Sequence, residues 1–229
     1  MRKKIAKIIL YFLGFVVIIF LSLFAYGYNF YRSVFRLSAT EISNIISEQK
    51  PSCVNLKDCK LEPGDILIRR YVTSTSEIFN SYFKPYFTHS AVYLGNDELF
   101  EALGDDQTPE DQIKISRLSK GDWTRGNLIG FVIIRPKYSQ NTLAEFENSL
   151  RKIANDPEYT FGPWNPSTKK ASCSDSIYNE LINNSIIERD INPPKYITPD
   201  FLFWFTLKDR KSTRLNSSHS RASRMPSSA

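Results

Sequence analysis

The strongest constraint on this chain is an uncharged, largely apolar run from Ile8 to Tyr31. A helix that crosses a bilayer needs about 20 such residues, whereas the apolar core of a signal peptide spans only about 7–15. Tyr26, Tyr28 and Tyr31 fall where an interfacial aromatic belt would lie. The run therefore predicts a transmembrane helix over residues 8–31.

The basic residues around this run predict which way it crosses the membrane. Residues 1–7 hold four lysines and arginines, and only Arg32 and Arg36 follow closely after the run. Positive residues favour the cytoplasmic side, so we expect a cytoplasmic N-terminus and a body that is periplasmic or extracellular. The alternative is a long cleavable signal sequence, for which Ala25–Gly27 would be a poor cleavage site. Both interpretations export the body.

Length and charge restrict the class of protein further. The 229 residues suffice for one domain with a sizeable core and additional terminal segments. The net charge is +6, but residues 1–7 and 211–229 each contribute four positive charges, which leaves −2 for the chain between them. The body has no basic stripe, so we expect no nucleic-acid partner.

The three cysteines separate into a close pair and a single residue. Cys53 and Cys59 are six positions apart, and outside the cytosol such a pair can form a disulfide. Two free thiols are the alternative, and the spacing fits no zinc motif. We expect no metal and no cofactor. Cys173 is left without a partner, which makes it a candidate reactive thiol.

Hydrophobic periodicity predicts an α+β fold, a small sheet with helices. The segment "SATEISNIISEQK" predicts a short helix with Ser38 or Thr40 as its N-cap, and "STSEIFNSYF" (74–83) predicts one or two helical turns. "HSAVYLG" and "ELFEAL" predict a hairpin, and "NLIGFVIIRP" predicts a buried strand. The predicted organisation is a cytoplasmic flank (1–7), a transmembrane anchor (8–31), a linker with a short helix (32–60), the folded domain (61–207), and a disordered tail of non-native origin (208–229).

Cys173 is predicted to lie at the start of a helix. Ser172 can act as its N-cap, with Asp175 three residues further on as in a capping box. A thiol in the first turn feels the positive end of the helix dipole, which lowers its pKa toward the reactive thiolate. The alternative is a small buried hydrophobic residue.

His89 and Glu101 are the candidate partners of that thiol. The chain has two histidines, and the other, His219, lies in the predicted tail. If the hairpin turn has three residues (95–97), Ala91 pairs with Glu101, and His89 then lies on the same face as Glu101, diagonally across the strands. A two-residue turn would put the two side chains on opposite faces. An exposed strand glutamate is the alternative for Glu101.

Four segments together resemble a known family: "GDILI", "HSAVYLGNDELFEAL", "YTFGP" with "SCSDSIYNEL", and "ITPDFLF". They are similar to the circularly permuted NlpC-type papain-like cysteine peptidases and amidases, the YiiX-like group, over about residues 61–207. The family usually reads Cys-Ser-Glu-Leu-Val at the helix start, whereas this chain has Cys173-Ser174-Asp175-Ser176-Ile177, which puts the packing of that helix in doubt.

The resemblance implies a thiol-based hydrolase whose small sheet is antiparallel and packed by the helices. It implies Cys173 as nucleophile, His89 as general base and acid, and Glu101 as the group that orients the imidazole. Tyr159 and Ser174 are weaker candidates for contacts with the substrate or the oxyanion. Gly64 and Asp65 match a strand-opening motif with a structural role.

Three functions remain open from the sequence. The first is a membrane-anchored cysteine hydrolase that cleaves amide bonds of envelope substrates such as peptidoglycan peptides. The second is a lipid thioesterase or acyltransferase with the same triad, for which "FLFWFTL" (201–207) and "FGPW" (161–164) would hold an acyl chain. The alternative is that these aromatic side chains are buried in the hydrophobic core. The third is a non-catalytic envelope-binding module.

Overall fold

The computed structural model describes most of the chain, in several ranges. These are residues 2–48, 53, 55–71, 85–103, 113–121, 123, 128–162, 164–190, 192–194, 196–208 and 213–218. The helical turns predicted for residues 74–83 lie outside them.

The described elements are helices and mainly short strands. The helices are α1 (Arg2–Phe35), α2 (Ala39–Ser47), α3 (Gln140–Asn155), α4 (Cys173–Asn183) and α5 (Pro199–Lys208), with a 3₁₀ turn at Leu56–Asp58. The strands are β1 (Ile66–Tyr71), β2 (His89–Gly95), β3 (Glu98–Ala102), β4 (Ile113–Arg117), β5 (Leu128–Pro136), β6 (Thr160–Phe161), β7 (Lys170–Ala171) and β8 (Thr213–Ser218).

Helix α1 contains a stretch, Tyr11–Phe30, with a mean hydropathy of 2.0 that is long and apolar enough to cross a membrane. A signal sequence has the same properties. Directly after this helix, Arg36 contacts α5: its guanidinium lies 5.4 Å from the ring centroid of Trp204 and 5.8 Å from that of Phe201. Arg36 also donates to the carbonyl oxygen of Asn192. The segment directly after α1 therefore packs against the folded body.

Six strands form one antiparallel sheet in the order β4-β3-β2-β1-β5-β8. The short strands β6 and β7 form a separate parallel pair. The predicted α+β class with a small antiparallel sheet is thus confirmed; the papain-like permutation stays a prediction.

The main core lies between one face of the sheet and the helices. Alternate strand residues such as Ile66, Ile68 and Val92 are fully buried there. Helices α3, α4 and α5 cover this face, and so does α2 through Ile42 and Ile46, which are 0% and 3% exposed. Residues 32–60 are therefore more than the predicted linker, because α2 completes the core. Ser38 is the N-cap of α2, as predicted, and forms a capping box with Glu41.

The other face of the sheet carries a smaller core. Leu67, Ala91 and Leu99 are fully buried there against Trp123. Leu56, in the 3₁₀ turn, covers the same face. Because strand side chains alternate between faces, His89 and Glu101 share the face of Ala91 and Leu99.

The tail is not wholly disordered. Thr213–Ser218 form β8, which pairs with β5 from Phe131↔Ser218 to Pro136↔Thr213. The prediction of a disordered tail from residue 208 is wrong for this stretch, since Lys208 ends α5 as well. Strand addition relies on main-chain hydrogen bonds, so a polar segment can pair with an open sheet edge. Residues 219–229 lie outside the described part.

The Gly64–Asp65 motif is structural, as expected. Gly64 has φ +87°, and a Cβ there would lie 2.6 Å from side-chain atoms of both Leu143 and Tyr138. Asp65 is fully buried and accepts two hydrogen bonds of 2.7 Å from Arg135. The motif fixes the entry into β1.

Candidate active site

The start of α4 is held in place by its N-cap. Ser172 accepts a hydrogen bond from the backbone N–H of Asp175, as the sequence predicted. The buried carboxylate of Asp175 in turn accepts from the N–H of Ile197 at 2.9 Å and from the backbone of Trp164. The shortened acid that departs from the family pattern thus anchors two loops. Cys173 is the first residue of the helix, and its side chain is half-buried.

The turn between β2 and β3 is the shorter of the two that the sequence left open. The turn has two residues, Asn96 and Asp97, with φ of +51° and +70°, the backbone that two-residue hairpin turns require. Gly95 pairs with Glu98, so the hairpin has the two-residue turn, the alternative that by itself would have put His89 and Glu101 on opposite faces.

A β-bulge cancels the effect of the shorter turn. The register shifts between Tyr93 and Gly95, so that Tyr93 pairs with Leu99 and Val92 with Phe100. One extra residue in β2 changes which side chains share a face. His89 and Glu101 consequently lie on the same face, which a regular two-residue hairpin would not allow.

Glu101 is held by hydrogen-bond donors on three sides. Its Oε2 lies 3.0 Å from Nε2 of His89 and accepts from the indole Nε1 of Trp123 at 2.7 Å. Its Oε1 accepts from the hydroxyl of Ser116. Burial raises the pKa of Glu101, but the hydrogen bond and charge of His89 and the other two donors outweigh it and lower the pKa to about 2. Glu101 is therefore a buried carboxylate, charged at neutral pH, behind the imidazole.

Cys173 and His89 each stabilise the charged form of the other. Burial raises the pKa of Cys173, but the charge and hydrogen bond of His89, together with hydrogen bonds from the side chain and backbone of Ser90, lower it to about 6. Burial lowers the pKa of His89, but Cys173 and Glu101 outweigh it and raise it, while the charge of Arg69 acts against them. The site thus favours a thiolate beside an imidazolium.

The two ring nitrogens of His89 have separate partners. Nε2 is bonded to Glu101, so the nitrogen left to interact with Cys173 is Nδ1. A carboxylate bonded to one ring nitrogen fixes both the orientation of the ring and its tautomer. The structure therefore brings the three predicted catalytic side chains together in the order thiol, imidazole, carboxylate.

Ser174 points away from solvent, into the contact between α4 and β2. Its side chain is almost fully buried, and its hydroxyl lies 3.0 Å from that of Ser90 and 3.7 Å from the sulfur of Cys173. A substrate role of Ser174 stays a prediction, whereas the contact with Ser90 ties the helix start to the strand that carries His89.

Tyr159 lies in a different part of the site region from the triad. Its ring lies 6.4 Å from that of Trp164 at 30°, and both line a cleft of about 710 Å³ between the end of α3 and α4. Cys173 and His89 do not line this cleft. A substrate or oxyanion role for Tyr159 stays a prediction.

The approach to β2 is anchored by a buried carboxylate that the sequence analysis did not single out. Asp200 in α5 accepts from the backbone N–H groups of Tyr86 and Phe87 at 2.8 and 2.7 Å. Burial raises its pKa to about 7, although these hydrogen bonds and the charge of Arg70 act to lower it. Asp200 thus fixes the chain two residues before His89.

Sequence reasoning missed the side chains that surround the triad. Trp123 and Ser116 bind Glu101, and Ser90 binds the thiol. Arg69 lies with its guanidinium 4.4 Å from the ring centroid of Trp123, and it pairs with His89 across β1 and β2. Of these residues, Trp123 could have been noticed in the sequence, because it is an aromatic residue inside a polar segment. The positions of Ser116, Ser90 and Arg69 near the site depend on strand pairing.

Of the two aromatic segments proposed for an acyl chain, residues 201–207 lie largely in the core. Phe201, Leu202, Phe203 and Phe205 are at most 2% exposed. They fill the space between α5 and the sheet, so they do not line an open acyl groove. In the other segment, Trp164 is partly exposed and lines a cleft, so the lipid hypothesis loses only the support of residues 201–207.

The cysteine pair of the second core is bonded. Cys53 and Cys59 form a disulfide with a Cα–Cα distance of 5.3 Å. Of the two alternatives, a disulfide or two free thiols, the structure thus shows the disulfide. Cys173 is then the single free thiol. Within the described ranges, no group of three or more His, Cys, Asp and Glu side chains is arranged to hold a metal ion.

These contacts define a cysteine–histidine–carboxylate site. Neither a protein-family model nor a curated protein matches the chain. Among solved structures, the chain is similar to the metalloprotein YiiX from Escherichia coli O157:H7 (DUF1105), with 12% identity and a TM-score of 0.46. The similarity covers 69% of this chain and 97% of that one. So distant a likeness carries no argument about activity, and the function must follow from the site residues.

Proposed function

We propose that this protein is a membrane-anchored cysteine hydrolase that cleaves amide bonds of cell-envelope substrates, such as peptidoglycan peptides, through a thioester intermediate. The observation that carries the proposal is the contact geometry of the site: His89 is hydrogen-bonded to Cys173, and its Nε2 lies 3.0 Å from the buried carboxylate of Glu101. The pKa of Cys173, lowered to about 6 by this contact against the effect of burial, supports it. A purely structural cysteine has no need of a lowered pKa.

The first half of the reaction forms the thioester. The Cys173 thiolate attacks the carbonyl carbon, and the carbonyl oxygen takes up negative charge. The N–H of Cys173 at the first position of α4 has no acceptor inside the helix, so it is available to stabilise that charge. The C–N bond then breaks, and Nδ1 of His89 gives its proton to the leaving amine.

The second half releases the acid. Neutral His89 takes a proton from a water molecule, whose oxygen attacks the thioester carbon. The C–S bond breaks, and Cys173 leaves as the thiolate beside the regenerated imidazolium. Glu101 stays charged throughout and stabilises the imidazolium form.

Export and anchoring are part of the proposal. The apolar stretch of α1 and the basic residues before it support a single-pass protein with a cytoplasmic N-terminus and the hydrolase domain outside. The predicted peptide or lipid amide and ester substrates both lie on that side. A disulfide between Cys53 and Cys59 also suits an oxidising compartment.

The decisive experiment compares the wild-type chain with Cys173→Ala in detergent, using muropeptides as substrates and mass spectrometry of the products. Cleavage by the wild type alone supports the proposal. No cleavage by either, together with release of fatty acid from a thioester or lipid ester by the wild type, would favour the lipid hydrolase instead. A wild-type chain that cleaves neither class of substrate would favour the third function, a non-catalytic envelope-binding module.

A further inference from the structure

The cleft that Tyr159 lines is a second site-like feature, separate from the triad. Its volume is about 710 Å³, within the range of small-molecule sites. One wall is the C-terminal part of α3, the opposite wall is α4 at Asn179, Glu180 and Asn183, and the connection after α3 closes it with Trp164.

The aromatic side chains of this cleft form one broad surface. The rings of Tyr159 and Trp164 are tilted by only 30°, with centroids 6.4 Å apart. Both side chains are partly exposed although they pack against the main core. Two neighbouring rings beside open space suit a ligand with a flat C–H face, such as a pyranose ring.

The polar side chains around these rings offer both donors and acceptors. Asn179 and Asn183 line the cleft, and Glu180, which is 7% exposed, is held by the amides of Asn183 and Asn184 at 3.2 and 3.3 Å. Hydroxyl groups both donate and accept, so a mixed set of amides and a fixed carboxylate matches a polyhydroxylated ligand.

The charged side chains of the cleft have an excess of cations. Lys152, Lys169 and Arg189 line it, against the carboxylates of Asp156 and Glu180. Lys169 is already bonded to Asp156 at 2.9 Å. Lys152, on α3, and Arg189, in the segment after α4, therefore supply the attraction for an anionic group on the ligand.

The cleft is built on the same backbone that delivers the nucleophile. Tyr159 leads directly into β6, which pairs with β7, and Ala171 at the end of β7 is two residues before Cys173. The backbone of Trp164 is bonded to Asp175, two residues after Cys173. A ligand stacked on these rings is thus held relative to the start of α4.

We propose that the Tyr159–Trp164 cleft binds a saccharide that carries an acidic substituent. As a subsite for the sugar portion of a substrate, this inference rests on the proposed function; as a saccharide-binding site, it stands without it. Tyr159 and Trp164 stack on the ring, Asn179 and Asn183 bond its hydroxyls, and Lys152 with Arg189 neutralises the acid.

The test is a titration calorimetry series with the full chain in detergent, in the Cys173→Ala background, so that no turnover occurs. The acidic probe is a peptide-free tetrasaccharide of alternating N-acetylglucosamine and N-acetylmuramic acid. Chitotetraose is its neutral counterpart, and a stem tetrapeptide without sugar is the third probe.

We expect the acidic tetrasaccharide to bind, and Trp164→Ala or Tyr159→Ala to weaken it about 10-fold or more, which corresponds to about 1.4 kcal/mol. Arg189→Gln should weaken the acidic probe several-fold and leave chitotetraose unchanged. Tyr196→Ala, an exposed tyrosine outside the cleft, and Lys57→Gln, an exposed lysine, are the matched controls.

Saccharide binding that Trp164→Ala leaves unchanged would overturn the inference. So would the absence of saccharide binding, or binding of the tetrapeptide alone with the same dependence on Trp164. A wild-type chain that cleaves no muropeptide yet binds the tetrasaccharide through Trp164 would refute the hydrolase proposal and keep the saccharide site.

Discussion

Nε2 of His89 lies 3.0 Å from Oε2 of Glu101 across the β2–β3 hairpin, and this contact determines which ring nitrogen faces the thiol. Glu101 is buried and bonded to Trp123 as well, so its orientation does not depend on the histidine alone. Four expectations follow from this arrangement and from the backbone that supports it.

The reactivity of Cys173 should depend on pH through His89. The thiolate forms as pH rises through about 6, so alkylation by iodoacetamide should increase around that pH. In His89→Ala the imidazolium is lost, and the midpoint should rise toward about 8.5, the ordinary value of a thiol. Stopped alkylation with mass spectrometry measures this, because Cys53 and Cys59 are disulfide-bonded and do not react. An identical midpoint in both proteins would contradict the pair.

Glu101→Gln should narrow the active pH range from the alkaline side. Glu101 raises the pKa of His89, so its loss lowers that pKa, and the imidazolium is lost at a lower pH. The proposed hydrolysis needs the thiolate and the imidazolium together. The alkaline limb of the rate profile should therefore move to lower pH, and the maximal rate should fall by about 10²-fold or more. Glu145→Gln, an exposed change on α3, is the control. An unmoved alkaline limb would argue against the orienting role of Glu101.

Asp200 should make stability depend on pH between about 4 and 7. Its folded-state pKa, about 7, is above the value of about 3.9 expected in the unfolded chain. The folded state therefore binds more protons in this window, and the contribution of Asp200, complete below pH 4, is lost as pH rises through 7. Urea unfolding of Asp200→Asn should lack this fall. The exposed change Asp58→Asn should retain it, and equal pH profiles of the wild type and Asp200→Asn would contradict the expectation.

Gly64→Ala should destabilise the fold strongly, whereas Gly130→Ala should not. At Gly64 the added methyl group meets Leu143 and Tyr138, and the positive φ adds about 1–3 kcal/mol of backbone strain. With the overlap, we expect a loss of roughly 2–5 kcal/mol in the free energy of unfolding. At Gly130 nothing lies within 4 Å of the new Cβ, so the change should stay within about 0.5 kcal/mol. A loss at Gly64 as small as the loss at Gly130 would contradict this expectation, because it would show that Leu143 and Tyr138 move aside at little cost.

The sequence determined the features that depend on local patterns. The apolar run of α1, the capped start of α4 at Ser172 and the alternation along β2 are visible because propensity and periodicity act over a few residues. The same reasoning placed Cys173 at a helix start.

The tertiary structure decided everything that depends on register and long-range contacts. The bulge at Leu94 determines which side chains share a face with Glu101. No local sequence pattern distinguishes a two-residue turn with a bulge from a three-residue turn without one. Trp123 and Ser116 come to the carboxylate from separate segments, and β8 finds its edge through main-chain hydrogen bonds that side-chain composition does not reveal. Pairing energies between distant segments arise only once the chain has folded. For that reason the sequence pointed to Cys173, His89 and Glu101 as candidates but not to the side chains that surround them.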